Sequence, residues 1–222
     1  MIDHLDEIQT LNFVNCDKFD VGDSISLVGS SAILNHRDDA KEIDSHDDVM
    51  RFNHAKVRGF EDVCGQKSTI FLVNNHALQL ISDPLFYDDD FKLEYPESKK
   101  DYVYDFDNLN IILRLDHDKI SDNAEVIEKI SENNRVAIVT KQCMKLGSAL
   151  VGRQPSCGLT GLMVALQYFK EISCFGFNFN NDPTIDKHYY EAGNQTGGCH
   201  DFSKEQEIFK ALNDNGRITL HY

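Results

Sequence analysis

The chain has 222 residues, 41% of them hydrophobic, and a formal net charge of −15. That length holds one α/β domain with a full core or two small domains, and the acidic balance argues against a nucleic-acid or anionic-membrane surface, which needs a basic patch. No apolar run reaches the ~20 residues that span a bilayer. The first residues, Met1 to Glu7, lack the basic and apolar pattern of a secretory signal, so a cytoplasmic chain is expected. Cysteines stand at 16, 64, 143, 157, 174 and 199 with no Cys-x-x-Cys pair. That pattern reads as reduced thiols rather than a zinc site.

In chain order, residues 1–22 read as a surface arm or short helix. Ser24–Val28 is a short apolar strand, and Gly29, Ser30 and Ser31 follow at once. A strand running into glycine and small hydroxyl residues is where an open α/β sheet places a nucleotide. The full Gly-x-Gly-x-x-Gly fingerprint is missing, so NAD or FAD is weakly indicated. Ala32 to His36 reads as one helical turn, Val49 to Asn53 as a second strand ending in Asn, and Gly59 to Val63 as a turn. Thr69 to Asn75 carries an unbroken apolar run suited to a buried parallel strand, and His76 to Ile81 reads as a short helix. Residues 83–107 form a long acidic excursion with Tyr87, Tyr95, Tyr102 and Tyr104. Its tyrosines could line an acceptor pocket or sit half-buried on the surface.

Asn110 to Leu115 is a strand, Ser121 to Asn133 an amphipathic helix, Val136 to Thr140 a strand and Lys141 to Val151 a helix. Pro155-Ser156-Cys157-Gly158-Leu159-Thr160-Gly161 then opens a helix that is apolar nearly all round and therefore buried. Pro155 fixes the entrance, Ser156 can cap it, and Gly158 lets a ligand approach the main chain. Such a helix start suits an anion, and an ordinary capped core helix has the same pattern. Ile172 to Phe177 is a strand. Asn178 to Cys199 is polar and glycine-rich and reads as a lid. His200 opens a last helix that runs to Asn215, Gly216 ends it, and Arg217 to His221 forms a final strand. Strands alternating with helices predict one α/β domain over 1–222, with a mainly parallel central sheet flanked by helices. Gly29 and Gly158 are expected at one edge of that sheet.

Four blocks in order resemble the sialyltransferases of glycosyltransferase family 29. Ser26-Leu27-Val28-Gly29-Ser30-Ser31, Glu42 to His46 and Met50 to Ala55, continued at Gly59 to Val63, resemble the long sialyl motif. Pro155-Ser156-Cys157-Gly158, running to Phe175-Gly176-Phe177, resembles the short motif. His188-Tyr189-Tyr190-Glu191 resembles the third motif, and His200 with Glu205 the very short His-x4-Glu motif. The resemblance implies a Rossmann-like fold of the GT-A variant and an inverting transfer of sialic acid from CMP-sialic acid to a glycan or glycoconjugate hydroxyl. It implies no metal and no cofactor beyond the CMP-sugar donor. Gly29, Ser30, Ser31 and Asn53 would hold the nucleotide, with Ser156, Cys157 and Gly158 meeting it from the helix and Gly176 beside the base. His188 would assist the departing phosphate, and His200 would be the general base.

Departures are visible too. Ser30 stands where the family carries Asn, and Cys157 where Thr is common. Ile25 and Phe169 replace the two cysteines that animal members join, which implies folding without that bridge. A Golgi lumenal location would follow if an amino-terminal anchor had been removed. Glu205 reads as an orienting or capping group, and Arg51 with Asp44 as a buried pair. Two other readings remain open on the same residues: transfer of another CMP-activated acidic sugar such as Kdo, and a catalytically silent CMP-binding module.

Overall fold

The apolar runs pair side by side. The computed structural model describes residues 14, 19–53, 55–75, 77–78, 108–116, 120–178, 188–190 and 200–221. Its strands are β1 (Ser24–Val28), β2 (Asp48–Phe52), β3 (Ile70–Asn74), β4 (Asn110–Arg114), β5 (Arg135–Ile138), β6 (Glu171–Phe175) and β7 (Thr219–Leu220). They form one sheet in the order β5-β4-β3-β2-β1-β6-β7, and every neighbouring pair is parallel. Val28 is in register with Arg51 on one side and Phe175 on the other.

Helices cover both faces, which is why the strands read as continuous apolar runs rather than alternating ones. Ile70 and Leu72 of β3 point into the core shared with Leu162, Met163 and Phe209. Their neighbours Phe71 and Val73 point the other way, against Ile111, Leu113 and Ile130. The first face is covered by α4 (Lys141–Val151), α5 (Cys157–Tyr168) and α6 (Phe202–Asp214). The second is covered by α1 (Ala40–Ser45), α2 (Glu61–Cys64) and α3 (Ala124–Ser131). In α5 every residue from Leu159 to Leu166 is buried. A fully buried leucine such as Leu162 contributes on the order of 2 kcal/mol by area. Ile25 and Phe169 lie in this same core. Buried Cys143 has its thiol pushed up to about 12, and Cys174 higher still, both by desolvation.

Several boundaries differ from the sequence expectation. Val14, expected in a surface arm, is buried and bridges Val139 antiparallel at the end of β5. α1 and α2 fill stretches that carry little periodicity. The last helix begins at Phe202, two residues after His200. Asn75, Ala77 and Leu78 are helical, while the rest of the helix expected to Ile81, the 83–107 excursion and most of 178–199 lie outside the described residues. Among the described residues no helix is long and apolar enough to cross a membrane.

The expected Asp44–Arg51 pair is replaced by a shared task. Asp44 accepts the backbone N–H groups of Gln66 and Lys67, each at 2.9 Å. Arg51, fully buried, donates to the carbonyls of Cys64, Gly65 and Lys67 at 2.8–3.1 Å and to the Ser68 hydroxyl. The two side chains thus hold the donors and the acceptors of one loop.

Candidate active site at the carboxyl edge of the sheet

The strand order reverses at β1. From there β2 leads out toward β5, while β6 leads to β7. Loops leaving β1 and β6 diverge at such a point and open a crevice over the carboxyl ends of the strands. Gly29 and Gly176 form its floor. The Gly29 N–H donates to Phe175 O at 2.8 Å and the Ser31 N–H to Gly176 O at 3.1 Å. A Cβ on Gly29 would stand 2.3 Å from the Gly176 carbonyl oxygen, and Gly176 has φ +66°, so this backbone contact requires both glycines. The Ser31 hydroxyl accepts from Ile33 N–H at 3.2 Å and caps the 3-10 turn Ala32–His36.

The third-motif residues dock on this floor. Ser30 Oγ lies 2.9 Å from His188 Nδ1, and the Ser30 carbonyl accepts the Tyr189 N–H at 3.0 Å. Asn35 Nδ2 donates to the Tyr189 carbonyl at 3.2 Å, and the Tyr189 hydroxyl donates to the Lys56 carbonyl. Tyr190 stacks on the His188 ring, centroids 5.0 Å apart and planes 12° off parallel. Residues 188–190, expected in the middle of a lid, are thereby fastened to the body of the fold. The segments on either side lie outside the described residues.

At the second wall, Ser156 caps α5 as expected: its hydroxyl accepts from Leu159 N–H at 3.1 Å. It is also committed to α6. Glu205 accepts the Ser156 N–H at 2.7 Å and its hydroxyl at 2.5 Å. A buried carboxyl thus already occupies the helix start expected to meet a ligand, and the first turn keeps the Cys157 and Gly158 N–H groups for one. Burial pushes the Glu205 carboxyl above its ordinary range, against the two Ser156 bonds that lower it. The absent side chain of Gly158 also makes room for Phe177, since a Cβ there would stand 2.7 Å from that ring.

Cys157 is 7% exposed. Its thiol donates to Asn53 Oδ1 at 3.5 Å, tying α5 to the end of β2. Burial raises the thiol's pKa, so it stays protonated and is a packing group, not a nucleophile. Asn53 takes a left-handed φ of +52° and its Oδ1 also accepts the Asn74 N–H at 3.1 Å. That bond fixes the amide orientation and leaves Nδ2 as the end that can donate to a ligand.

His200 is held by its own distinct partner. Its Nδ1 lies 2.9 Å from the carbonyl of Gln154. A carbonyl only accepts, so Nδ1 carries the proton, and Nε2 of the neutral ring holds the lone pair. The sequence expectation that His200 itself starts the helix and projects from it is corrected, because the helix begins at Phe202. Asp201, between His200 and α6, is the cap and accepts the Lys204 N–H at 3.2 Å.

Arg114 and Gln154 were not picked out from the sequence. Arg114 is 7% exposed at the end of β4 and donates to the Pro155 carbonyl at 2.6 Å. The signal was an arginine inside the apolar run Ile111 to Leu115. Arg114, Gln154, Asn75 and Asp116 line a cavity of about 190 Å³ beside the His200 anchor. Elsewhere, Asp39, Glu42 and His221 are the one trio among the described residues whose potential metal-ligand atoms lie within 4.8 Å of one another. Asp39 in that trio is already paired with the Arg37 guanidinium through both oxygens.

The family profile described as Glycosyltransferase family 29 (sialyltransferase) matches residues 22–217. The chain belongs to this family. It is 24% identical to the Homo sapiens alpha-N-acetylgalactosaminide alpha-2,6-sialyltransferase 1, over 88% of this chain and 37% of that protein. It is 26% identical to the Rattus norvegicus CMP-N-acetylneuraminate-beta-1,4-galactoside alpha-2,3-sialyltransferase, over 84% of this chain and 54% of that protein. The family 29 chain thus spans about half, or less, of the length of these curated relatives. Its fold is similar to the crystal structure of a mammalian sialyltransferase, with TM-score 0.64 and 21% identity over 89% of this chain and 68% of that one. It is also similar to the sialyltransferase CstII from Campylobacter jejuni in complex with a substrate analogue, cytidine-5'-monophosphate. There the TM-score is 0.51 at 14% identity, covering 91% of this chain and 80% of that one.

Proposed function

We propose that this chain is an inverting, metal-independent transferase that moves sialic acid from CMP-sialic acid to a hydroxyl of a glycan or glycoconjugate. We take residues 1–222 as one glycosyltransferase domain of the GT-A-like, Rossmann-related kind. Family membership supports the reaction class, and the Gln154–His200 hydrogen bond carries the mechanism. That bond at 2.9 Å leaves Nε2 of a neutral imidazole as an oriented base.

The step needs little covalent work from the protein. An acceptor oxygen bonds to the anomeric carbon while the bond from that carbon to the phosphate oxygen breaks. The acceptor's proton passes to His200 Nε2, and the electron pair leaves on CMP. Charge grows on the phosphate, where His188 and the N–H groups of Cys157 and Gly158 can donate. Asn53 Nδ2, Ser31 and the Gly29–Gly176 floor hold the nucleotide, with the Ser30 side chain turned to His188. The polar cavity beside Gln154 gives the acceptor a place near the base.

The test is CMP release from CMP-sialic acid, measured with and without a galactose-terminated acceptor and in the presence of EDTA, with CMP-Kdo run in parallel. Transfer product with CMP-sialic acid, undiminished by EDTA, is expected. No CMP release from either donor, together with no rise in melting temperature on adding CMP, would sink the proposal. Selective use of CMP-Kdo would move it to that donor.

A further inference from the structure

We propose that Ser30 is a positioning residue that fixes His188 in the tautomer carrying its proton on Nε2. The inference rests on the transferase reading above and assigns to Ser30 a task apart from direct contact with the nucleotide. Ser30 Oγ lies 2.9 Å from His188 Nδ1. A hydroxyl, unlike a carbonyl, can donate. If it donates to Nδ1, the neutral ring keeps its proton on Nε2 and offers a donor to the phosphate as charge grows there. In the other tautomer Nδ1–H would donate to Oγ, and Nε2 would turn a lone pair on an anion, which repels.

The ring has little freedom to escape this choice. It stacks on Tyr190, and the same Ser30 holds the adjoining peptide through its carbonyl and the Tyr189 N–H. Ser30 therefore fixes the segment with its backbone and the proton position with its side chain. His200 has the opposite kind of partner. Gln154 offers His200 a carbonyl, which forces the proton onto Nδ1 and makes Nε2 a base. Ser30 offers His188 a hydroxyl, which lets Nδ1 accept and makes Nε2 a donor. Two histidines of the proposed site are set to opposite tasks by opposite partners, as hydrogen-bond partners on the far ring nitrogen set the tautomer of other functional imidazoles.

The test is long-range ¹H–¹⁵N NMR of the imidazole nitrogens in the full chain, with His188 assigned by loss of its signals in His188→Gln. In the neutral ring the wild type is expected to show His188 protonated at Nε2, and Ser30→Ala to show a mixture of tautomers. In the transfer assay Ser30→Ala is expected to lower kcat about 3- to 10-fold, the worth of one hydrogen bond, with donor KM within about twofold. Ser30→Thr, which keeps the hydroxyl, is expected to restore both readouts. A wild-type ring protonated at Nδ1, or a tautomer unchanged in Ser30→Ala, overturns the proposal. A loss in Ser30→Ala that appears only in donor KM also overturns it, because that marks a nucleotide contact. Wild-type protein that turns over no CMP-sugar refutes the transferase reading instead, and the tautomer measurement still decides the role of Ser30.

Discussion

The carboxylate of Glu205 closes over Ser156, accepting its N–H at 2.7 Å and its hydroxyl at 2.5 Å, so that α6 is latched to the first turn of α5. This latch joins the short motif to the very short one. Glu205→Gln keeps an oxygen for the Ser156 N–H and removes a buried charge. It is expected to leave stability at pH 7 within about 1 kcal/mol of wild type or above it. Glu205→Ala leaves a buried donor unpaired and a small void, and should cost about 2–4 kcal/mol. Urea melts at constant m-value check both. An alanine variant as stable as the glutamine variant would show that the latch does not hold the helices.

The same carboxyl makes stability depend on pH with a defined sign. In the unfolded chain it titrates near 4.5, whereas burial raises it in the folded protein. Between those two values the folded state holds the extra proton, so raising the pH through this window lowers stability. The contribution is fully present below about 4.5. The stability of Glu205→Gln relative to wild type should therefore grow as pH rises from the acid side and level off above the folded value. Taking this difference cancels the opposite slope from His221, whose pKa burial lowers. A difference independent of pH would mean that Glu205 titrates as an ordinary carboxyl.

Arg51 and Asp44 hold the carbonyls and the amides of the 64–68 loop. Arg51→Met should cost about 3 kcal/mol or more, because three buried carbonyls lose a charged donor. Asp44→Asn keeps one acceptor oxygen and should cost about 1–2 kcal/mol. Since both act on one loop, the double variant should lose less than the sum of the two. Strict additivity in thermal melts would separate their roles.

Much of the fold was legible because a parallel sheet covered on both faces needs unbroken apolar strands, and Ile70 to Val73 and Ile111 to Leu113 supply them. α1 was not legible: only Ala40 and Ile43 of its six residues are buried. Arg51 and Arg114 stood out as charges within apolar runs, but their partners are backbone carbonyls brought up by folding, which no side-chain pattern announces. The site residues were legible as motif blocks, and their pairings were not. Ser30 meets His188 across 158 positions, Ser156 meets Glu205 across 49, and Gln154 meets His200 across 46. Nor does the sequence show Phe177 folding back onto Gly158, a packing reason for glycine at that position.

Gly29 tests the floor of the crevice. A Cβ there would stand 2.3 Å from the Gly176 carbonyl oxygen, and backbone on both sides leaves no flexible side chain to yield. Gly29→Ala should push the loops after β1 and β6 apart, lower stability by about 1–3 kcal/mol and weaken CMP binding. Isothermal titration with CMP checks the second effect. Unchanged CMP affinity in a destabilised variant would place the nucleotide away from this floor.

His200 bears the chemistry in the proposed function, and its variant separates catalysis from binding. His200→Ala should lower turnover about 10²–10⁴-fold, the usual worth of positioned proton transfer. CMP affinity should change little, because Asn53, Cys157, Gly158 and the Gly29–Gly176 floor lie on other elements. His188→Ala should instead weaken both turnover and CMP binding, since its partner is the charged leaving group. Acceptor-free hydrolysis of the donor should suffer less in His200→Ala than transfer does, because water can enter the vacated space. His200→Gln is the sharper variant. Its side-chain amide can still donate to the Gln154 carbonyl and keep the local structure, yet it has no basic nitrogen, so turnover should remain as low as in the alanine variant. Turnover restored by glutamine would make His200 a structural donor to Gln154 and assign the base elsewhere.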